Sequence, residues 1–98
     1  MIERYRVELT TAAQKDLKSY RHATGLILDA LARLEFDPEG GHLLTGDLSG
    51  VRSLEIAVKG SGAFRAAYET DGVEKVCIVV AIGPRERFYE RLRRRLNG

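Results

Sequence analysis

Polar and apolar residues alternate from the start of the chain, with Tyr5, Val7 and Leu9 set against Arg4, Arg6 and Glu8. Period two predicts a strand with one buried face. Thr11-Ala12-Ala13-Gln14 then reads as a capping box, the Thr11 hydroxyl accepting from the backbone while Gln14 reaches back, and Ala13, Leu17 and Tyr20 follow at helical spacing. After a break near Arg21-His22, Thr24 is the candidate cap of a second helix. Its Ile27, Ala30, Leu31 and Leu34 fall at i, i+3, i+4, i+7, and the helix stops before Asp37-Pro38. So short a link between two helices predicts an antiparallel hairpin.

Glu39 to Gly50 holds Gly40, Gly41, Gly46, Ser49 and Gly50, and reads as a loop long enough to be functional. Alternation resumes with Leu54, Ile56 and Val58, turns at Gly60-Ser61-Gly62, and continues with Phe64, Ala66 and Tyr68. Asp71-Gly72 marks the next turn. Val76 to Ile82 is apolar on both faces, as in an inner strand covered from two sides. The order is β-α-α-β-β-β-α: an α+β fold with a curved antiparallel sheet, a helical hairpin on one face and a C-terminal basic helix, all in one domain spanning 1–98.

Size agrees with a single small core, since 98 residues that are 44% hydrophobic and 31% charged leave no room for a second domain. The longest apolar run is seven residues, Val76 to Ile82, far below the roughly 20 of a membrane span. No apolar stretch follows Met1-Ile2-Glu3-Arg4-Tyr5-Arg6, so a signal peptide is not expected and a soluble, cytoplasmic protein without a membrane partner is. Cys77, the single cysteine, lies within the apolar run and is expected to be a small buried hydrophobe.

Charge changes the picture more. Residues 83–98 carry six arginines against Glu86 and Glu90, net +4, whereas residues 1–82 carry ten Lys/Arg against twelve Asp/Glu, net −2. A basic end of this kind attracts phosphate-bearing partners, and a guanidinium grips phosphate oxygens bidentately. On a helical wheel Phe88, Tyr89, Leu92 and Leu96 share one arc of about 100°. Arg87, Arg91, Arg94 and Arg95 take the opposite arc and are expected to face solvent. Arg85 falls with the apolar arc, aimed at the sheet, where it needs an anionic partner such as Glu69, Glu55 or a substrate phosphate. Arg65 stands mid-strand opposite Phe64, Ala66 and Tyr68. It is either ion-paired to Glu55 or Glu69, or part of a groove floored by Ala57 and Ala67 and edged by Lys59, Arg65 and Arg85 that accepts a sugar-phosphate chain.

The segments "LTTAAQKDL", "LARLEFDP", "GDLSGVRSLEI", "GAFRAAYE" and "IGPRERFY", in this order and spacing, resemble the RelE/ParE superfamily of bacterial type II toxins over nearly the whole chain. Resemblance to its RelE-type members implies a ribosome-dependent endoribonuclease that cuts mRNA by attack of a ribose 2′-hydroxyl on the adjacent phosphate, with no metal or other cofactor. It also implies a cognate antitoxin. By position, Arg65 corresponds to the arginine that stabilises the crowded phosphate, and Arg85 to the arginine after the last strand's glycine. Tyr89, six residues past Gly83, corresponds to the tyrosine that stacks on a base or assists proton transfer. Fixed guanidinium donors suit a developing phosphorane charge, and single-stranded bases stack on tyrosine.

Lys59, Arg87 and Arg91 are the expected RNA contacts. Glu55 and Ala57 occupy the positions where RelE carries a pair of lysines. In another branch a glutamate precedes the "LSG" loop, and His42 stands near its position, which makes His42 the candidate base. The departures leave two readings of the target: an mRNA endoribonuclease acting on the ribosome, or a ParE-like toxin that poisons DNA gyrase without nuclease activity. The fold serves both.

Overall fold

The computed structural model describes residues 4–60 and 62–98. It contains strand β1 (Arg6–Leu9), helices α1 (Thr11–Ser19) and α2 (Thr24–Ala32), strands β2 (His42–Leu43), β3 (Arg52–Val58), β4 (Gly62–Asp71) and β5 (Val76–Pro84), and helix α3 (Phe88–Asn97). Short 3₁₀ turns lie at Arg21–Ala23, Arg33–Glu35 and Gly46–Leu48. The strand order is β1-β5-β4-β3-β2. All neighbours are antiparallel except β1 and β5, which run parallel with Arg6 opposite Val76 and Leu9 opposite Val79. The α+β class and the order of the main elements are those the pattern predicts, while the parallel pair makes the sheet mixed. The helical hairpin carries the chain from β1 to β2 at the opposite edge of the sheet, and the run β2-β3-β4-β5 then returns it to pair beside β1.

The first helix starts one residue earlier than its capping pattern suggests. Thr10, with extended backbone, accepts at Oγ1 from the Ala13 N–H at 3.1 Å, and Gln14 donates to the Leu9 carbonyl rather than reaching a backbone N–H. The reason is the sheet: the Thr10 N–H still pairs with the Val79 carbonyl, so the strand hands over to the helix at Thr10. Thr24 is not a cap either. The preceding Arg21–Ala23 turn supplies the entry, and the Thr24 hydroxyl donates back to the Tyr20 carbonyl.

Ala13 of α1 and Ile27, Ala30 and Leu31 of α2, with Leu34 after it, pack on Ile56, Val58, Phe64, Ala66, Tyr68, Cys77, Val79 and Ile82 of the sheet. Each fully buried large side chain contributes about 1.5–3 kcal/mol, so this face dominates the stability. The opposite face has a smaller cluster of Leu48, Val51, Ala67, Ala81, Phe88 and Leu92, covered by α3 and the Gly46–Leu48 turn. An irregularity between Ala67 and Tyr68 shifts the register of β4 against β5, so that Val79 packs with the first cluster and both Val80 and Ala81 with the second. Of the predicted Gly60-Ser61-Gly62 turn, Ser61 lies outside the described residues, as do Met1 to Glu3; Gly60 and Gly62 both have positive φ, as a tight turn requires.

The predicted long loop is strapped down. The Tyr68 hydroxyl donates to the Pro38 carbonyl at 2.9 Å and accepts from the Gly41 N–H at 2.8 Å. Arg52 donates to the carbonyls of Glu39 and Gly41, and His42–Leu43 add a two-residue strand beside β3. Burial pushes the Tyr68 phenol above its ordinary 10.0, partly offset by the Gly41 N–H, and burial likewise pushes the Cys77 thiol above 9.0. The folded protein therefore holds both protons more tightly than the unfolded chain, so stability is full below pH 9 and falls as pH rises through 9 and then 10. Urea unfolding at stepped pH should show this decline, and Cys77→Ala should remove its first part. A flat profile from pH 8 to 10.5 contradicts the assignment.

Candidate functional site

Two rungs of the sheet, on the face away from the helical hairpin, gather the polar chemistry. Glu55, Arg65 and Gly83 stand side by side on β3, β4 and β5, and the next rung holds Ser53, Ala67 and Ala81, with His42 of β2 beside Ser53. Directly opposed residues share a face with Cβ atoms about 4.5–5.5 Å apart. Small Ala67 and Ala81 let α3 settle on this face, and α3 brings Tyr89 to Arg65.

Arg65 Nη1 donates to the Tyr89 hydroxyl at 2.5 Å, and the guanidinium carbon lies 5.0 Å from the centre of the Tyr89 ring. The Arg65 Nε is buried and has no partner, as is the Ser53 Oγ. No ion pair to Glu55 or Glu69 forms among the described residues, although Glu55 is the direct cross-strand neighbour. The side chain is thus a half-buried guanidinium with donor capacity to spare, one edge held by the phenol. Tyr89 also borders a groove of about 270 Å³ with His42, Leu44, Thr45, Leu48 and Arg93. His42 is exposed there, on the same side of the sheet as Arg65.

Arg91 is exposed but lies against the end of β5, in a hollow lined also by Asp16, Tyr20 and Arg95. Its Nη2 donates to the Pro84 carbonyl at 3.1 Å and lies where a Cβ on Gly83 would fall, 2.6 Å away. Gly83 is the rung partner of Arg65. A glycine at that position is therefore what leaves room for the Arg91 guanidinium over the end of β5.

The other predicted site residues stand apart. Arg85 is exposed and does not point at the sheet. The helix begins only at Phe88, after a turn in which Arg87 takes φ 55°, so the helical wheel does not extend back to Arg85. The Arg85 N–H donates to the Ala63 carbonyl, and the residue borders a hollow with Gly62, Ala63, Pro84 and Glu86. Lys59, the residue after β3, is four residues from Glu55, about 13 Å at strand spacing, beside an apolar hollow that includes Leu26 and Ala63. Arg87 is exposed at the helix start with no side-chain cap bond.

Nor do the last arginines all face solvent freely. Arg93 pairs with Asp47 at 2.9 Å, and Arg95 pairs with Asp16 at 2.6 Å. Ser53 and Asp16 are the residues that sequence reasoning passed over, and Glu55 enters it only as a candidate ion-pair partner or as a departure from the lysine pair. Cross-strand register alone could have flagged Ser53, which stands on the rung next to Arg65.

A family model of ParE-like toxins of type II bacterial toxin-antitoxin systems matches residues 7–93. The chain belongs to this family. Among solved structures, the toxin matches the toxin-antitoxin complex RelBE2 of Mycobacterium tuberculosis at 25% identity and a TM-score of 0.67, over 84% of this chain and 99% of that one. A double mutant of the E. coli toxin RelE in the free state matches at 16% identity with a TM-score of 0.72, over 95% and 98% of the two chains. YafQ from E. coli matches at 19% identity and a TM-score of 0.57, over 83% and 93%. The last two likenesses speak for the toxin's fold alone. No curated protein matches its sequence. No helix among the described residues is long and apolar enough to cross a membrane.

Proposed function

We propose that this toxin is an endoribonuclease that cuts mRNA on the ribosome, restrained by a cognate antitoxin. The observation that carries the reading is the Arg65–Tyr89 pair, with a buried Arg65 Nε that lacks a partner. In the step proposed, the ribose 2′-oxygen bonds to the adjacent phosphorus, the phosphorus–O5′ bond breaks, and the products are a 2′,3′-cyclic phosphate and a 5′-hydroxyl. The 2′-hydroxyl proton passes to His42, the candidate base, and O5′ takes up a proton from water as it leaves. Arg65 stabilises the charge that builds on the phosphorane oxygens, and fixed donors away from bulk water are effective at this; Arg91, over the end of β5, is a contact to the RNA chain. Tyr89, in contact with Arg65, stacks on a neighbouring base. Arg85, Lys59 and Arg87 serve as outlying contacts to the RNA chain or the ribosome. The RelBE2 complex supports an antitoxin as partner.

A second reading, a toxin that poisons DNA gyrase, is favoured by the ParE-like family and by Glu55 and Ala57, which leave the site face without lysine on β3. Primer extension on mRNA incubated with the purified toxin, with and without translating ribosomes, separates the two. Codon-phased cuts that need ribosomes are expected. Gyrase cleavage complexes in a parallel supercoiling assay, with no ribosome-dependent cuts, would replace the first reading by the second.

A further inference from the structure

One carboxylate joins three elements of this fold. Asp16 sits on α1, yet its Oδ2 accepts from the Ile82 N–H of β5 at 2.9 Å and from Arg95 Nη1 of α3 at 2.6 Å, and its Oδ1 accepts from Arg95 Nη2 at 3.1 Å. Arg95 Nη1 also donates to the Val80 carbonyl at 3.0 Å. Pairing of β1 with β5 stops at Val79. Beyond it, two side chains meet the backbone groups that a longer β1 would have met. Two parallel bonds between a carboxylate and a guanidinium fix orientation as well as distance, and the Asp16 side chain keeps only 19% of its surface exposed.

Both members of the Arg65–Tyr89 pair hang on what Asp16 holds. Ile82 directly precedes Gly83, the rung partner of Arg65. Arg95 and Tyr89 are six residues apart on α3, about 9 Å along the axis. That helix has ten residues, fewer than the ~12–15 an isolated helix needs, and it buries only Phe88 and Leu92. Its pose on the sheet depends on its docking contacts, and the Asp16–Arg95 bridge is the one at its last turn.

We infer that Asp16 is a positioning residue for the Arg65–Tyr89 site, holding the end of β5 and helix α3 in one register from α1. Its effect on chemistry rests on the endoribonuclease reading; its effect on geometry does not. The test uses the full chain with ¹³C-labelled tyrosine, the Tyr89 ring resonance being assigned by Tyr89→Phe. In Asp16→Ala the Tyr89 resonance should move to its position in Arg65→Ala. Ribosome-dependent cleavage should fall roughly tenfold to a hundredfold, the scale of a misplaced reactive group. In a Tyr89→Phe background Asp16→Ala should add less than about twofold, since a residue acting through Tyr89 has little left to disturb.

Arg95→Gln breaks only the α3 arm of the bridge and decides the matter if Asp16→Ala does not fold. A Tyr89 resonance unmoved in the folded variants overturns the inference, as does a fully additive loss in the double variant. If the wild-type toxin cuts no RNA, the endoribonuclease reading fails, while the resonance still decides whether Asp16 positions Tyr89.

Discussion

Arg65→Ala is expected to lower toxin activity by about 10²–10³-fold, the usual cost of removing one fixed donor from a developing anion, while the protein stays folded. Stability should hardly change because two effects oppose each other. The substitution loses the bond to Tyr89 and a cation–π contact of about 0.5–1 kcal/mol. It also removes a buried Nε with no partner, and a buried unsatisfied donor costs about 1–3 kcal/mol. Arg65→Lys should be intermediate or inactive, since one ammonium lacks the fork that serves phenol and phosphate together. Cleavage rate and growth arrest, measured beside thermal unfolding, check this. Full activity in folded Arg65→Ala, or a loss that only tracks unfolding, is the result that sinks the role.

The largest stability effect is expected at Gly41. A Cβ there would meet Cε1 and the hydroxyl of Tyr68 at 2.7 Å each, and Tyr68 is fully buried, so its ring has nowhere to retreat. Overpacking of this kind costs about 1–3 kcal/mol, and in a domain of this size each kcal/mol lowers the melting temperature by roughly 4–8 °C. Gly41→Ala should therefore melt on the order of 10–20 °C below the parent. Adding Tyr68→Phe removes the oxygen but leaves the ring carbon in the way. The double variant should recover only part of the loss, with the two effects coupled. A Gly41→Ala protein melting within about 2 °C of the parent would show that the loop slides aside at little cost. His42 follows Gly41 directly, so the same clash should disturb the groove shared with Tyr89.

Most of the fold was legible because its elements carry strong local signals. The helical positions Ile27, Ala30, Leu31 and Leu34 and the strand positions Phe64, Ala66 and Tyr68 are buried as their periods indicate. The partner of β1 was not legible, since nothing in Tyr5 to Leu9 encodes pairing with a strand some 70 residues away. Nor was the register shift opposite Val80, because a run that is apolar on both faces has no polar residues to mark its phase.

At the site, Arg65 and Tyr89 were readable as residue types at the right spacing, and the structure brings them into contact. Arg85 was misread because a non-glycine residue at positive φ, Arg87, delays the helix by a turn and leaves no mark in the sequence. The Asp16–Arg95 contact spans 79 residues, and a lone carboxylate on a helix has no spacing that foretells such a partner.

The half of β5 that β1 leaves uncovered has a consequence for solubility. Val76 to Ile82 is the kind of uncharged, β-prone run that recruits identical copies when its edge lies bare. Asp16 puts a negative charge on the Ile82 N–H, and Arg95 occupies the Val80 carbonyl, so an incoming strand finds both groups already taken. The bridge at the last turn of α3 thus also leaves neither the Val80 carbonyl nor the Ile82 N–H bare for a strand of a second copy.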